Sequence, residues 1–179
     1  MAKSKGFTLL ELMITLVVLA VLVGIAVPSF TAVADQRNLN NAAEELRMQI
    51  LYAKSESIRL NQDLTFFFST TGGWCAGVTD AAITNGSNCD CGDIADKCPL
   101  VDSDVVRAFV GTDFPTLSFS SSYGGSQNKM TVKARNGQLA SGNVKVSLVD
   151  DANEAICIKV SAMGRVRTCD YDGSSCSCG

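Results

Sequence analysis

The 179-residue chain contains no histidine. That absence removes Ser-His-Asp and Cys-His catalysis and every imidazole metal site. Three prolines and 7% aromatic residues leave few chain breakers and few platforms for stacking bases. Charged residues make up 18% of the chain and the formal net charge is −3, so nucleic acid would have to be met by a local patch. No internal repeat or Gly-rich phosphate cradle is present. With 46% hydrophobic residues the chain is not expected to be disordered, and its length suits one domain. Charge is scarcest at the amino end, where Glu11 is the one ionisable side chain between Phe7 and Ala34.

The order of features there is informative. Lys3 and Lys5 lie in the first six residues, and Leu12 to Phe30 is a run of nineteen uncharged residues, close to the 20 or so that span a bilayer. Positive charge ahead of the run predicts a cytoplasmic start and an exported remainder. Ala32-Val33-Ala34 offers a small-residue site, so a cleaved signal peptide is the competing reading. Three features oppose it. Glu11 is a carboxylate that would cost about 2.5 kcal/mol or more at mid-membrane and so needs a partner or a task. Pro28 removes a helical hydrogen bond to Gly24 and predicts a weak point, and Gly24 adds flexibility. Helical patterning also continues past the point where a membrane would end.

Gly6-Phe7-Thr8-Leu9-Leu10-Glu11-Leu12 resembles the prepilin processing site of type IV pilins and type II secretion pseudopilins. The resemblance implies cleavage between Gly6 and Phe7 by a prepilin peptidase, methylation of the new Phe7 amine, and an apolar helix that is first an anchor and then a filament core. It assigns assembly roles to Glu11, Gly24 and Pro28, with Glu11 neutralising the amino terminus of a neighbouring subunit. An ammonium and a carboxylate buried together tolerate burial far better than either alone.

Between Asp35 and Leu60, Leu39, Ala43, Leu46, Ile50, Ala53 and Ser57 recur with a helical period, while Glu44, Glu45, Arg47, Lys54, Glu56 and Arg59 take the other faces. Asn61 is a helix stop. Short strands are expected at 64–69, 105–110, 116–120, 130–134, 144–149, 155–161 and 165–168, punctuated by Gly, Asn, Ser and Asp. The expected fold is therefore α+β: a long amino-terminal helix, membrane-spanning in its first half, packed on an antiparallel β-sheet head, pilin-like. The divisions are a leader at 1–6, a membrane and filament-core helix at 7–34, an amphipathic stalk at 35–61, and a disulfide-linked head at 62–179. Leu46 to Ile58, the Gly72-Gly73-Trp74-Cys75-Ala76-Gly77 turn and Gly164-Arg165-Val166-Arg167 resemble the GspH/FimT (FimU-like) family of minor pilins and pseudopilins.

All eight cysteines fall between Cys75 and Cys178, in the exported part, and read as disulfides. If Ala162-Met163-Gly164 makes a three-residue hairpin turn, Cys157 faces Cys169 within disulfide reach, provided the site is of the non-hydrogen-bonded kind. A two-residue turn would break that pairing. Cys75, Cys89, Cys91, Cys98, Cys176 and Cys178 remain unassigned. Zinc on Cys89, Cys91, Cys98, Cys176 and Cys178 is opposed by the missing C-x-x-C pairs, and Ca²⁺ on Asp90, Asp93 and Asp96 by the missing EF-hand spacing. Neither metal nor cofactor is expected.

Between Asp63 and Asp113 eight acids face two bases; between Lys129 and Arg167 seven bases face three acids. Arg165 and Arg167 would share one strand face, and paired guanidiniums suit phosphate. Gly164-Arg165-Val166-Arg167 resembles the carboxy-terminal motif of DNA-binding FimT-type pilins, which makes double-stranded DNA a candidate ligand. Asp170 and Asp172 oppose it. The resemblance implies a minor type IV pilin at or near a pilus tip, helping assembly, with DNA uptake as a candidate function. The alternative is a GspH-like minor pseudopilin of a type II secretion system. Either is a non-enzymatic, single-pass inner-membrane protein with a periplasmic head, later in a pilus or pseudopilus. Its partners would be other pilin or pseudopilin subunits and the prepilin peptidase/methyltransferase, with no small-molecule substrate.

Overall fold

A computed structural model describes the chain over residues 6–69, 74–79, 108–123 and 129–178. Met1 to Lys5, the Gly72-Gly73 part of the turn, Cys89, Cys91, Cys98, Asp90, Asp93 and Asp96 lie outside the described residues. Helix α1 runs from Leu9 to Leu60 and is continuous through Pro28. Two compact units divide at Arg37.

In the first unit, Thr8 caps α1: its hydroxyl oxygen accepts the Glu11 N–H at 3.2 Å and its carbonyl accepts the Leu12 N–H at 3.2 Å. Thr-x-x-Glu is the sequence of a capping box, so Thr8 and Glu11 also serve the helix start. The large apolar side chains from Phe7 to Ile25 are all exposed, between 52% and 78%. The segment is long and apolar enough to cross a membrane.

In the second unit the stalk stripe is buried as its period requires. Leu39, Ala43, Leu46, Ile50, Ala53 and Ser57 are each at most 1% exposed. Glu56 departs from the solvent-facing position expected of it; it is buried, and the Arg59 Nε donates to its carboxylate at 2.9 Å. An ion pair with a neighbour one turn on makes that burial tolerable. Asn61, at φ 50°, ends α1, with the Gln62 N–H on the Ser57 carbonyl and the Asn61 N–H on that of Ile58. This is a Schellman stop, and asparagine is among the few non-glycine residues that adopt it readily.

Two antiparallel sheets pack with this stripe. The first has the order β3-β2-β1-β5, from β1 (Leu64–Ser69), β2 (Cys75–Thr79), β3 (Ala108–Val110) and β5 (Lys129–Val132). The second has the order β4-β6-β7-β8-β9, from β4 (Leu117–Ser121), β6 (Gly142–Leu148), β7 (Ala155–Val160), β8 (Val166–Tyr171) and β9 (Cys176–Ser177). Five of the expected strands recur within a residue or two, 165–168 extends to Tyr171, and 105–110 contributes only its last three residues among those described. The correction is at residues 75–77, expected in a turn: they belong to β2, paired with β1 from Ser69↔Cys75 to Thr65↔Thr79.

Between the sheets lies an aromatic layer. Phe68 stacks on Phe119 and Tyr123 with ring centroids 5.3 and 5.6 Å away, and Trp74 on Phe119 at 5.8 Å. The Trp74 Nε1–H donates to the Leu117 carbonyl at 2.9 Å, giving the buried indole its partner. Gly142 is required here, because a Cβ would sit 2.6 Å from the Tyr123 ring.

Candidate functional site: the β8 edge and its cysteine-linked tail

The β7–β8 hairpin closes as expected. The Ser161 N–H reaches the Arg165 carbonyl at 2.9 Å, and Gly164 occupies the left-handed position at φ 77°. That glycine touches a second turn: a Cβ there would lie 2.4 Å from the Gly137 carbonyl, and its own carbonyl accepts the Lys54 Nζ at 3.1 Å. Lys54 of the stalk thus anchors the turn that carries Arg165.

The three-residue turn places Cys157 opposite Cys169, as counted from the sequence. They are nevertheless not joined. Cys157 bonds Cys176 and Cys169 bonds Cys178, with Cα atoms 5.6 and 4.9 Å apart. Parity accounts for this correction. Ser161·Arg165 is a hydrogen-bonded pair, so alternation makes Cys157·Cys169 one too, and the non-hydrogen-bonded site that the pairing required is not met. Across β8 the Asp172 N–H reaches the Ser175 carbonyl at 3.2 Å, which makes Cys169·Cys178 non-hydrogen-bonded and closer. These bonds also remove Cys176 and Cys178 from any metal site, and among the described residues no cluster suits a metal ion. Cys75 is disulfide-bonded as well.

The tail turns at Asp172. Its carboxylate accepts N–H bonds from Ser174 and Ser175 at 2.9 and 2.6 Å and hydroxyl bonds from the same two serines, which hold its pKa well below the usual carboxylate range.

The bases concentrated between Lys129 and Arg167 have separate fates. Lys133 pairs with Asp63 at 2.6 Å; that bond and the Ala134 N–H lower the Asp63 pKa. Lys145 lies 3.9 Å over the Tyr171 ring and donates to the Ala152 carbonyl, so Tyr171 offers no vacant stacking face on that side. What gathers is smaller. Arg165 is exposed, Arg167 is half-buried, and Lys159 stands opposite Arg167 in register. Asp170, three residues on from Arg167, falls on the opposite face by alternation. Sequence reasoning missed Arg47. From the stalk it joins Arg165, Val166, Arg167 and Thr168 around an open groove, and Glu44 pairs with it at 3.1 Å. A neighbouring cleft continues past Thr168 to Asp170, Asn40 and Ala43. The sequence signal was slight: Arg47 sits between the stripe residues Leu46 and Ile50.

The family model described as Type II transport protein GspH matches residues 42–164, more than half of the chain. The chain belongs to the GspH family. The model of the prokaryotic N-terminal methylation motif matches residues 1–27. The family is a structural, non-enzymatic one of minor type IV pilins and pseudopilins, whose members assemble with other pilin subunits. The type IV narrow pilus major component PilA5 of Thermus thermophilus is 33% identical over 97 residues, covering 52% of this chain and 84% of that one. The type II secretion system protein H of Pseudomonas aeruginosa is 38% identical over 63 residues, 35% of this chain and 37% of its own length. In fold, the type IV minor pilin FimU of Pseudomonas aeruginosa gives a TM-score of 0.54 at 19% identity, covering 79% of this chain and 93% of that one. The minor pseudopilin EpsH from the type 2 secretion system of Vibrio cholerae gives 0.55 at 12%, covering 75% and 98%. Arg165, Arg167 and the disulfide-linked tail lie beyond the end of the GspH match.

Proposed function

We propose that the chain is a minor type IV pilin, processed between Gly6 and Phe7, N-methylated at Phe7, held in the inner membrane by residues 7–34, and then built into a pilus at or near its tip. The observation that carries this reading is the exposed apolar surface from Phe7 to Ile25, which lies inside the match to the methylation motif at residues 1–27 and has no cover among the described residues of its own unit. Lipid or sister helices are the surroundings that suit it. Glu11, Gly24 and Pro28 are the assembly residues, Glu11 supplying the carboxylate for a neighbouring amino terminus. Sheared surface filaments from producing cells, probed for this chain, test the reading; absence from filaments together with loss of protein secretion on deletion favours the type II secretion alternative. The family description and the two secretion-system relatives support that alternative. The relative that is a major pilus component makes stoichiometry within the filament the second readout.

A DNA-binding reading of Arg165 and Arg167 is favoured by Lys159 standing beside Arg167 and by Asp170 lying on the other face. The carboxylate of Asp172 is oriented into its own turn but stays ionised there, so its charge still opposes phosphate. Contacts would be to the phosphate backbone and strongly salt-dependent. Duplex binding by the R165A/R167A variant, measured against salt, decides it: unchanged affinity ends the reading.

A further inference from the structure

β8 is an incompletely covered edge. Among the described residues, Val166, Arg167 and Thr168 pair with β7 alone, because β9 reaches only Asp170 and Tyr171. The two turn bonds, Ser161 to Arg165 and Asp172 to Ser175, set the alternation of backbone directions. By that alternation Arg167 and Cys169 aim their N–H and C=O at β7, while Val166, Thr168 and Asp170 aim away. Asp170 meets Ser177 in β9. The outward groups of Val166 and Thr168 meet no described strand, and both residues line the groove below Arg47. Open edges are usually blunted by proline, a bulge, charged side chains or a covering element; among the described residues the charges of Arg165 and Arg167 are the device present here.

The groove is charged on one side. Arg47, Arg165 and Arg167 line it with a single carboxylate, Glu44. Main-chain bonds along an edge give affinity and flanking side chains give choice. We propose that this edge takes an extended segment of a neighbouring pilin-type subunit by strand addition, with carboxylates of that segment set against Arg47, Arg165 and Arg167. Acidic sequence occurs in a head of this type: residues 63–113 of this chain hold eight acids and two bases.

The inference rests on the filament-subunit reading, and its test separates the two. The Thr168 N–H points away from β7, so proline there removes a docking donor while leaving the sheet's own ladder intact. T168V keeps the donor and loses only the hydroxyl. In cells building filaments, T168P is expected to lower incorporation of the full-length chain about tenfold, the equivalent of one lost backbone bond, while T168V matches wild type. Both variants should retain the Cys157–Cys176 and Cys169–Cys178 bonds by mass mapping. If T168P loses them, R165E/R167E is the substitute, with incorporation expected to fall similarly. A photo-reactive benzoylphenylalanine at Thr168 should cross-link to an acidic extended segment of a second pilin-type subunit. Equal incorporation of T168P and wild type, or adducts confined to this chain, lipid or nucleic acid, overturns strand addition. Absence of the wild-type chain from filaments overturns the filament reading itself.

Discussion

The two parts of α1 obey one backbone rule and meet opposite surroundings. From Leu39 to Ser57 the apolar stripe is covered by the two sheets, with Leu46 and Ile50 at 0% exposure. From Phe7 to Ile25 apolar residues occur all round the helix and every large one is exposed. A helix with one stripe is satisfied inside its own domain; a helix apolar on all faces needs a partner from outside it. The stalk residues therefore belong to the stability of the head, whereas the rod from Phe7 to Ile25 buries none of its large apolar side chains, and its proposed roles are processing and assembly.

The largest expected effect breaks the rod's function and leaves the head alone. Gly6→Phe should accumulate almost entirely as unprocessed precursor that does not assemble, seen as a slower band on immunoblots of membrane and sheared fractions. Next is a matched pair. Leu46→Ala should destabilise the head by about 3 kcal/mol, as cavity formation in a packed core does. Leu16→Ala, the same chemical change 30 positions earlier, should leave the denaturation midpoint of the head where it was and lower recovery in filaments instead. If the two variants destabilise the head equally, the division fails.

A smaller effect tests the anchoring of the hairpin to the stalk. Gly164→Ala adds a Cβ 2.4 Å from the Gly137 carbonyl at positive φ, for a loss of about 2 kcal/mol by thermal melting. The smallest is on the acid side. Asp63 and Asp172 have folded pKa values below their ordinary 3.8, so their stabilisation is complete above that value and is lost as pH falls through the folded values. D63N and D172N should each lower the melting temperature modestly at neutral pH and converge with wild type as pH falls below about 4, so that the acid-side decline is flatter in the variants.

Much of this was legible from residues alone, for reasons that differ by place. The stalk stripe was readable because six positions repeat one period, and Asn61 because few residues end a helix so well. The β7–β8 turn was readable because Gly164 marks its left-handed position. What failed needed information that periodicity does not hold. Facing positions were assigned to Cys157 and Cys169 correctly, but a bond between them depends on hydrogen-bond parity, and β9 is too short to announce itself as the competing partner. Residues 75–77 carry glycine and cysteine and read as a turn; pairing with β1 made them a strand, which is tertiary context overriding local preference. Arg47 looked like one more solvent-facing charge because its distance to β8 is a property of packing.

Residues 7–34, trimmed at Gly6, are expected to find their cover in other molecules. Intact mass and amino-terminal sequencing of the chain recovered from filaments or membranes test it most directly. An N-methylated Phe7 as the first residue is the expected result. A first residue beyond Ala34, on a protein that stays in solution without detergent, would contradict it.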